Sequence, residues 1–153
     1  MPGKPRRRAM SGAYIRNRRA KICAGCEGYV RPQDKQCPSC GRIDTITFDS
    51  HAELKRYGEL RLLEKVGKIT FLKRQPRSVL HAAATAGGGI KVGTYVADFS
   101  YFIKASDGMI CSDLVFEDVK GGDAKGYVDT PLAAWKRRHF EAEYGLTVSI
   151  IVR

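Results

Sequence analysis

VFEDVKGG, Val115 to Gly122, reads as a strand of β-branched and aromatic residues that carries two acids and a lysine into its last positions before a glycine pair ends it. Strand alternation puts Asp118 and Lys120 on one face and leaves Glu117 with Val115 and Val119 on the other. Charges at the end of an otherwise burial-seeking strand have two readings. One is a surface ion pair worth about 0–1 kcal/mol; the other is a site.

The preceding segment, TYVADFSYFIKA (Thr94–Ala105), reads as a single strand whose one acid, Asp98, sits among aromatic and β-branched residues. Asp107-Gly108 marks a hairpin turn into MICSDLVFEDVKG, and pairing across that turn brings Asp98 and Asp118 together near one edge of the sheet. Two convergent carboxylates suit a hard divalent cation, Mg²⁺ or Mn²⁺, with the Val119 carbonyl as a third protein oxygen. Beside such a cation, Lys120 is placed to orient a water or to stabilise charge developing on a phosphate.

Upstream, DSHAELKRYGELRLLEKVGK reads as a helix with Leu54, Tyr57, Leu60, Leu62 and Leu63 on its apolar face and Gly67 as its stop. ITFLKRQP is a strand ended by Pro76, SVLHAA its short partner, and TAGGGIKVG a turn. Downstream, TPLAAWKRRHFEAEYG is a helix with Thr130 as cap, Pro131 in its first position and Gly145 at its end, and LTVSIIVR is a final strand. Helix, three or four strands, helix, strand is the order of an α/β sandwich built on a mixed sheet.

The N-terminal part has a different composition. Of 27 Lys and Arg in 153 residues, eight fall in residues 1–21, where none of the 16 acids lies; the chain as a whole carries +11. Such an arm, with interspersed Gly, Pro, Ser and Asn, forms no core and is expected to be disordered. It reads either as a solubilising tail or as a binder of nucleic acid through Arg6, Arg7, Arg8, Arg18 and Arg19. Cys23, Cys26, Cys37 and Cys40 then form two C-x-x-C pairs ten residues apart, a spacing that points to one structural zinc ion in a shell of four thiolates. Two disulfides are the competing reading, which a reducing compartment disfavours. Cys111 stands alone and reads as a packing residue. The expected organisation is a basic disordered arm (1–21), a four-cysteine zinc module (22–42) and an α/β domain (47–153).

The α/β region resembles the PD-(D/E)XK nuclease superfamily, through SHAELKRYGEL, ITFLKRQP, YVADFSY, EDVKG and WKRRHFEAEYG. Within it the region is most similar to a phage family catalogued as a domain of unknown function, with phage junction-resolving endonucleases as a functional cousin. The resemblance implies a restriction-endonuclease-like mixed sheet flanked by helices, metal-binding roles for Asp98 and Asp118, and a catalytic role for Lys120. Glu53 would be the helix acid that completes the site or binds a second metal. Ala97 stands where the superfamily's name puts a proline. Ser50-His51-Ala52-Glu53 is also a capping box, which gives Glu53 a purely structural alternative worth about 1 kcal/mol. On the last helix Lys136 and Arg137 are candidates for contact with a nucleic-acid backbone, and Gln75 for approach from the first strand.

Rival chemistries lack their residues. His51, His81 and His139 share no metal-ligand spacing and no paired nucleophile, and the glycine-rich TAGGGIKVG lacks the Lys-Ser or Lys-Thr of a phosphate-binding loop. No apolar run approaches bilayer length and no signal-peptide core opens the chain, so an intracellular, cytoplasmic protein without a membrane partner is expected. The resemblance adds a phage-encoded setting in a bacterial host. Together these readings lead to a Mg²⁺-dependent endodeoxyribonuclease; the resemblance implies branched DNA in recombination or replication as its substrate, and resolution of a symmetric junction implies a homodimer. The alternatives are a non-catalytic zinc-containing nucleic-acid-binding protein and a nickase or exonuclease of the same superfamily.

Overall fold

The computed structural model describes residues 19–82, 89–105, 110–122, 127 and 129–153, with backbone alone at 110–112. The chain divides into two compact units, Met1–Lys55 and Arg56–Arg153. The expected Asp107-Gly108 turn, most of the glycine-rich turn and the Cys111 side chain lie outside the described residues, as do Arg6, Arg7, Arg8 and Arg18.

In the first unit, β1 (Ala20–Cys23) pairs antiparallel with β2 (Tyr29–Val30) and with β3 (Thr45–Phe48), in the order β2-β1-β3. Its sheet therefore overruns both expected edges of the cysteine module, 22 and 42. A pair of knuckles buries too little surface alone; Cys23, Val30 and Cys37 form a minimal core, and Ala20 pairs with the buried Phe48 beyond it. Ala20 and Lys21, assigned to the disordered arm, are thus strand residues.

Helix α1 (His51–Lys65) starts with a capping box: the Glu53 N–H donates to the Ser50 hydroxyl (3.1 Å), while the Glu53 carboxylate accepts from that hydroxyl (3.1 Å) and from the Asp49 N–H (3.2 Å). It ends where Gly67 turns left-handed (φ 74°) and the Lys68 N–H reaches back to the Leu63 carbonyl (2.9 Å). Its apolar face is narrower than expected. Leu60 is fully buried and Tyr57 stacks on Phe99, but Leu62 is 63% exposed, because residues two apart on a helix point to different sides.

The second unit holds β4 (Ile69–Arg74), β5 (Arg77–His81), β6 (Lys91–Val96), β7 (Phe99–Lys104), β8 (Ile110–Lys120), α2 (Pro131–Tyr144) and β9 (Val148–Val152). A four-stranded sheet runs β4-β7-β8-β9, antiparallel except for the parallel β8–β9 pair, and β5-β6 form a separate two-stranded sheet. The expected mixed sheet is present, with two corrections. The segments ITFLKRQP and SVLHAA are not partners: β4 pairs with β7, and β5 with β6. The segment TYVADFSYFIKA is not one strand but two, broken at Ala97-Asp98, so that among the described residues five strands of this unit precede the last helix.

Both breaks have one cause. Pro76 has no N–H to continue a ladder, and Gln75 before it adopts a left-handed conformation (φ 48°). The opposite strand breaks at the same level, with the Gln75 N–H on the Asp98 carbonyl (2.9 Å) and the Ala97 N–H on the Pro76 carbonyl (3.3 Å). The paired segments therefore pass together from one sheet to the other, with Asp98 at the crossing.

Successive residues of β8 serve opposite faces. Phe116 packs on Phe140 of α2 in a core with Leu80, Tyr95, Ala97 and Val148. Glu117 faces the Arg56–Lys65 part of α1. Helix α2 carries the expected signals: the Thr130 hydroxyl accepts from the Ala133 N–H (3.2 Å), Pro131 opens it, and Gly145 ends it at φ 65°.

Candidate functional site

The four cysteines of the first unit are free thiols whose sulfurs lie within 4.8 Å of one another, an arrangement able to hold a metal ion such as zinc. Two knuckles of the same form present them. In each, the residue four after the first cysteine is left-handed and donates its N–H to that cysteine's carbonyl: Glu27 (φ 58°) to Cys23 and Gly41 (φ 73°) to Cys37. Cys23 and Cys40 sulfurs are 3.5 Å apart, as are those of Cys26 and Cys37, too far for disulfides and close to the roughly 3.8 Å edge of a tetrahedron with metal–sulfur bonds of about 2.3 Å. The N–H groups of Cys26 and Gly25 hold the Cys23 thiol down to about 6, which favours the thiolate. A side chain at Gly25 would meet the end of the exposed Arg42 side chain at 2.6 Å, a contact that this flexible chain can relieve by swinging outward.

In the second unit, a cavity of about 230 Å³ gathers residues from four segments: Thr94, Tyr95 and Val96 of β6, Asp98 at the sheet crossing, Asp118 and Lys120 of β8, and Ala133 and Lys136 of α2. Asp118 is 6% exposed; its Oδ2 accepts from the Tyr95 hydroxyl (2.9 Å) and lies 3.5 Å from Lys120 Nζ. Asp98 is fixed by backbone on both sides. Its Oδ2 accepts from the Val119 N–H (2.6 Å), its own N–H donates to the Glu117 carbonyl (3.0 Å), and its carbonyl accepts from Gln75. Burial, and then the Asp118 carboxylate, push the Tyr95 phenol well above its ordinary value, so it stays a proton donor to that carboxylate.

Lys120 also lies 3.5 Å from Asp129, which in turn accepts from Arg137 at 2.7 Å. Of the two expected helix cations, then, Lys136 lines the cavity and Arg137 is engaged by Asp129. Glu117 points to the other face, 2% exposed, held by both Arg56 Nε (2.8 Å) and Arg56 Nη2 (2.6 Å) and by the Tyr101 hydroxyl (2.6 Å). Its carboxylate raises the Arg56 guanidinium still further above its ordinary value, by hydrogen bonding first. Glu53 belongs to the first unit, in the capping box, and Arg19 pairs loosely there with Asp49 at 3.8 Å.

Tyr95 and Asp129 escaped the sequence reading. Simple alternation puts Tyr95 on the face opposite Asp98; the crossing at Ala97-Asp98 breaks that alternation. For Asp129, next to the Thr130 cap, the sequence holds no signal.

The observations define an α/β protein with an acid- and lysine-lined cavity and a four-cysteine unit. The chain belongs to a family of unknown function, DUF1064, whose model matches residues 40–153. The match covers the whole α/β unit and, of the four clustered cysteines, Cys40 alone. No curated protein and no solved structure matches the chain. Among the described residues, no helix is long and apolar enough to cross a membrane.

Proposed function

We propose that the protein is a metal-dependent endodeoxyribonuclease of the PD-(D/E)XK type that hydrolyses phosphodiesters in branched DNA as a homodimer, with structural zinc on Cys23, Cys26, Cys37 and Cys40. The observation that carries the reading is the meeting of Asp98, Asp118, Lys120 and Lys136 in one cavity. The donor set fits a hard cation: two carboxylates and the Val119 carbonyl, which leaves β8 on the same edge as the Val119 N–H bound to Asp98. Mg²⁺ or Mn²⁺ held there would polarise the scissile phosphate and make water a better nucleophile.

The chain's own groups do the rest. Tyr95 orients Asp118, and the Val119 N–H orients Asp98, so both acids are pre-positioned without help from substrate. Lys120 sets positive charge against the charge that grows on the phosphoryl oxygens, and Lys136 holds an adjacent phosphate of the backbone. Substrate displaces Lys120 from its shared hold on Asp118 and Asp129, both at 3.5 Å. Glu53 would act as a further acid only by leaving its capping box. Basic residues of the N-terminal segment, Arg6, Arg7, Arg8, Arg18 and Arg19, add sequence-independent affinity.

The test is cleavage of a labelled four-way junction and of a matched linear duplex in Mg²⁺ by the wild type and by Lys120→Ala and Asp118→Asn. Paired nicks on the junction that disappear in both variants, with binding retained, are expected. Tight binding without cutting in Mg²⁺ or Mn²⁺ would replace this reading with a non-catalytic nucleic-acid-binding protein, in which Lys120, Asp118 and Asp129 are a structural ion-pair cluster.

A further inference from the structure

Helix α2 leaves two of its large apolar side chains outside, Leu132 and Trp135. Phe140 fills the core, and Ala133 and Lys136 line the cavity, yet Trp135 is 47% exposed and Leu132 62% exposed. Leu132 lies four residues before Lys136, and Trp135 and His139 continue the same stripe at helical steps of three and four. The stripe therefore starts beside the cavity. The His139 ring is fixed by a 2.8 Å hydrogen bond from Nε2 to the His81 carbonyl, and Trp135 rests against it with centroids 5.1 Å apart. Two cations lie on the helical positions either side of Trp135: Lys136, which follows it and lines the cavity, and the exposed Arg138, one helical turn on. Glu143, the acid at the far end of the stripe, is engaged by His81 at 2.6 Å.

We propose that Trp135, backed by His139 and flanked by Leu132, Lys136 and Arg138, is a stacking shelf for an unpaired nucleobase. The inference rests on reading the cavity as a nucleic-acid site and narrows it: the strand held there has at least one base out of the duplex beside the phosphate at Lys136. A fixed aromatic face between cations is the combination that captures single strands, because every base offers a π-face and every linkage a charge. A paired duplex keeps those faces stacked inside and gains only the charge term. A partner protein would be served by the apolar stripe alone, whereas the cations beside it, Lys136 and Arg138, favour a polyanion.

Trp135 is the only tryptophan in the chain, so its fluorescence reports this shelf alone. The full-length protein, without added divalent metal, is titrated with a twelve-residue oligothymidylate and with a fully paired duplex of equal length. Quenching by the single strand and little by the duplex is expected. By anisotropy of labelled DNA, Trp135→Ala should weaken single-strand binding by about tenfold and leave the duplex within about twofold, while Trp135→Phe keeps most of the affinity. No quenching by the single strand, or an equal loss on both substrates, overturns the shelf. Junction cleavage in Mg²⁺, measured on the same preparations, separates the two ideas. Cutting without quenching rejects the shelf and leaves the nuclease standing; quenching without cutting of any substrate keeps the shelf and rejects the nuclease.

Discussion

Removing Arg56 should destabilise the α/β unit far more than removing the whole Arg56–Glu117 pair. Glu117 is 2% exposed, and two Arg56 nitrogens at 2.8 and 2.6 Å, with the Tyr101 hydroxyl, are its partners. Arg56→Met leaves a carboxylate in the interior with a single neutral donor, and breaking a buried pair from one side costs about 3–5 kcal/mol. For a unit of roughly 100 residues that lowers Tm by on the order of 15–30 °C. Arg56→Met with Tyr101→Phe and Glu117→Met removes every polar partner together and should recover most of the loss, since a buried pair replaced by apolar side chains of similar volume is close to neutral. Urea unfolding followed by Trp135 fluorescence measures all three proteins. A cost below about 1 kcal/mol for Arg56→Met, or a triple variant no more stable than that single one, would refute the account of Glu117 as a carboxylate clamped beneath the acid–lysine strand.

Three further outcomes are expected. Purified protein should contain one zinc ion per chain by atomic absorption, and Cys37→Ala should lose it, because three thiolates leave the shell open. Thr130→Ala removes the hydroxyl that accepts from the Ala133 N–H and should cost about 1 kcal/mol in urea unfolding. The hydrogen bond from His81 holds Glu143 below its ordinary 4.5, so the stability it contributes is complete above that value and fades as pH falls through the lowered one. Tm measured from pH 6 to pH 3 should accordingly fall less steeply in Glu143→Gln than in the wild type.

Local signals accounted for much of the molecule. The C-x-x-C spacing marked the cysteine cluster, since each knuckle is built within five residues by its own backbone hydrogen bonds. Ser50 and Glu53, Thr130 and Pro131, and Gly67 and Gly145 marked the helix ends, because caps satisfy backbone groups one turn away. Alternation along β8 was equally legible: it separated Asp118 and Lys120 from Glu117 before any partner was known.

Tertiary structure decided what alternation and propensity do not encode. Pro76 and Gln75 announce a break in one strand, but that Ala97 and Asp98 break opposite them depends on a pairing across more than twenty residues. That paired crossing divides one expected strand between two sheets and brings Tyr95 to Asp118. The sequence could present Glu117 only as a charge on a buried strand; its partner Arg56 lies 61 residues earlier on a helix. Composition, spacing and caps act within a turn or two of chain and are written in order. Which carboxylate meets a lysine in a cavity, and which an arginine beneath it, depends on the faces that two helices cover once the sheet has formed.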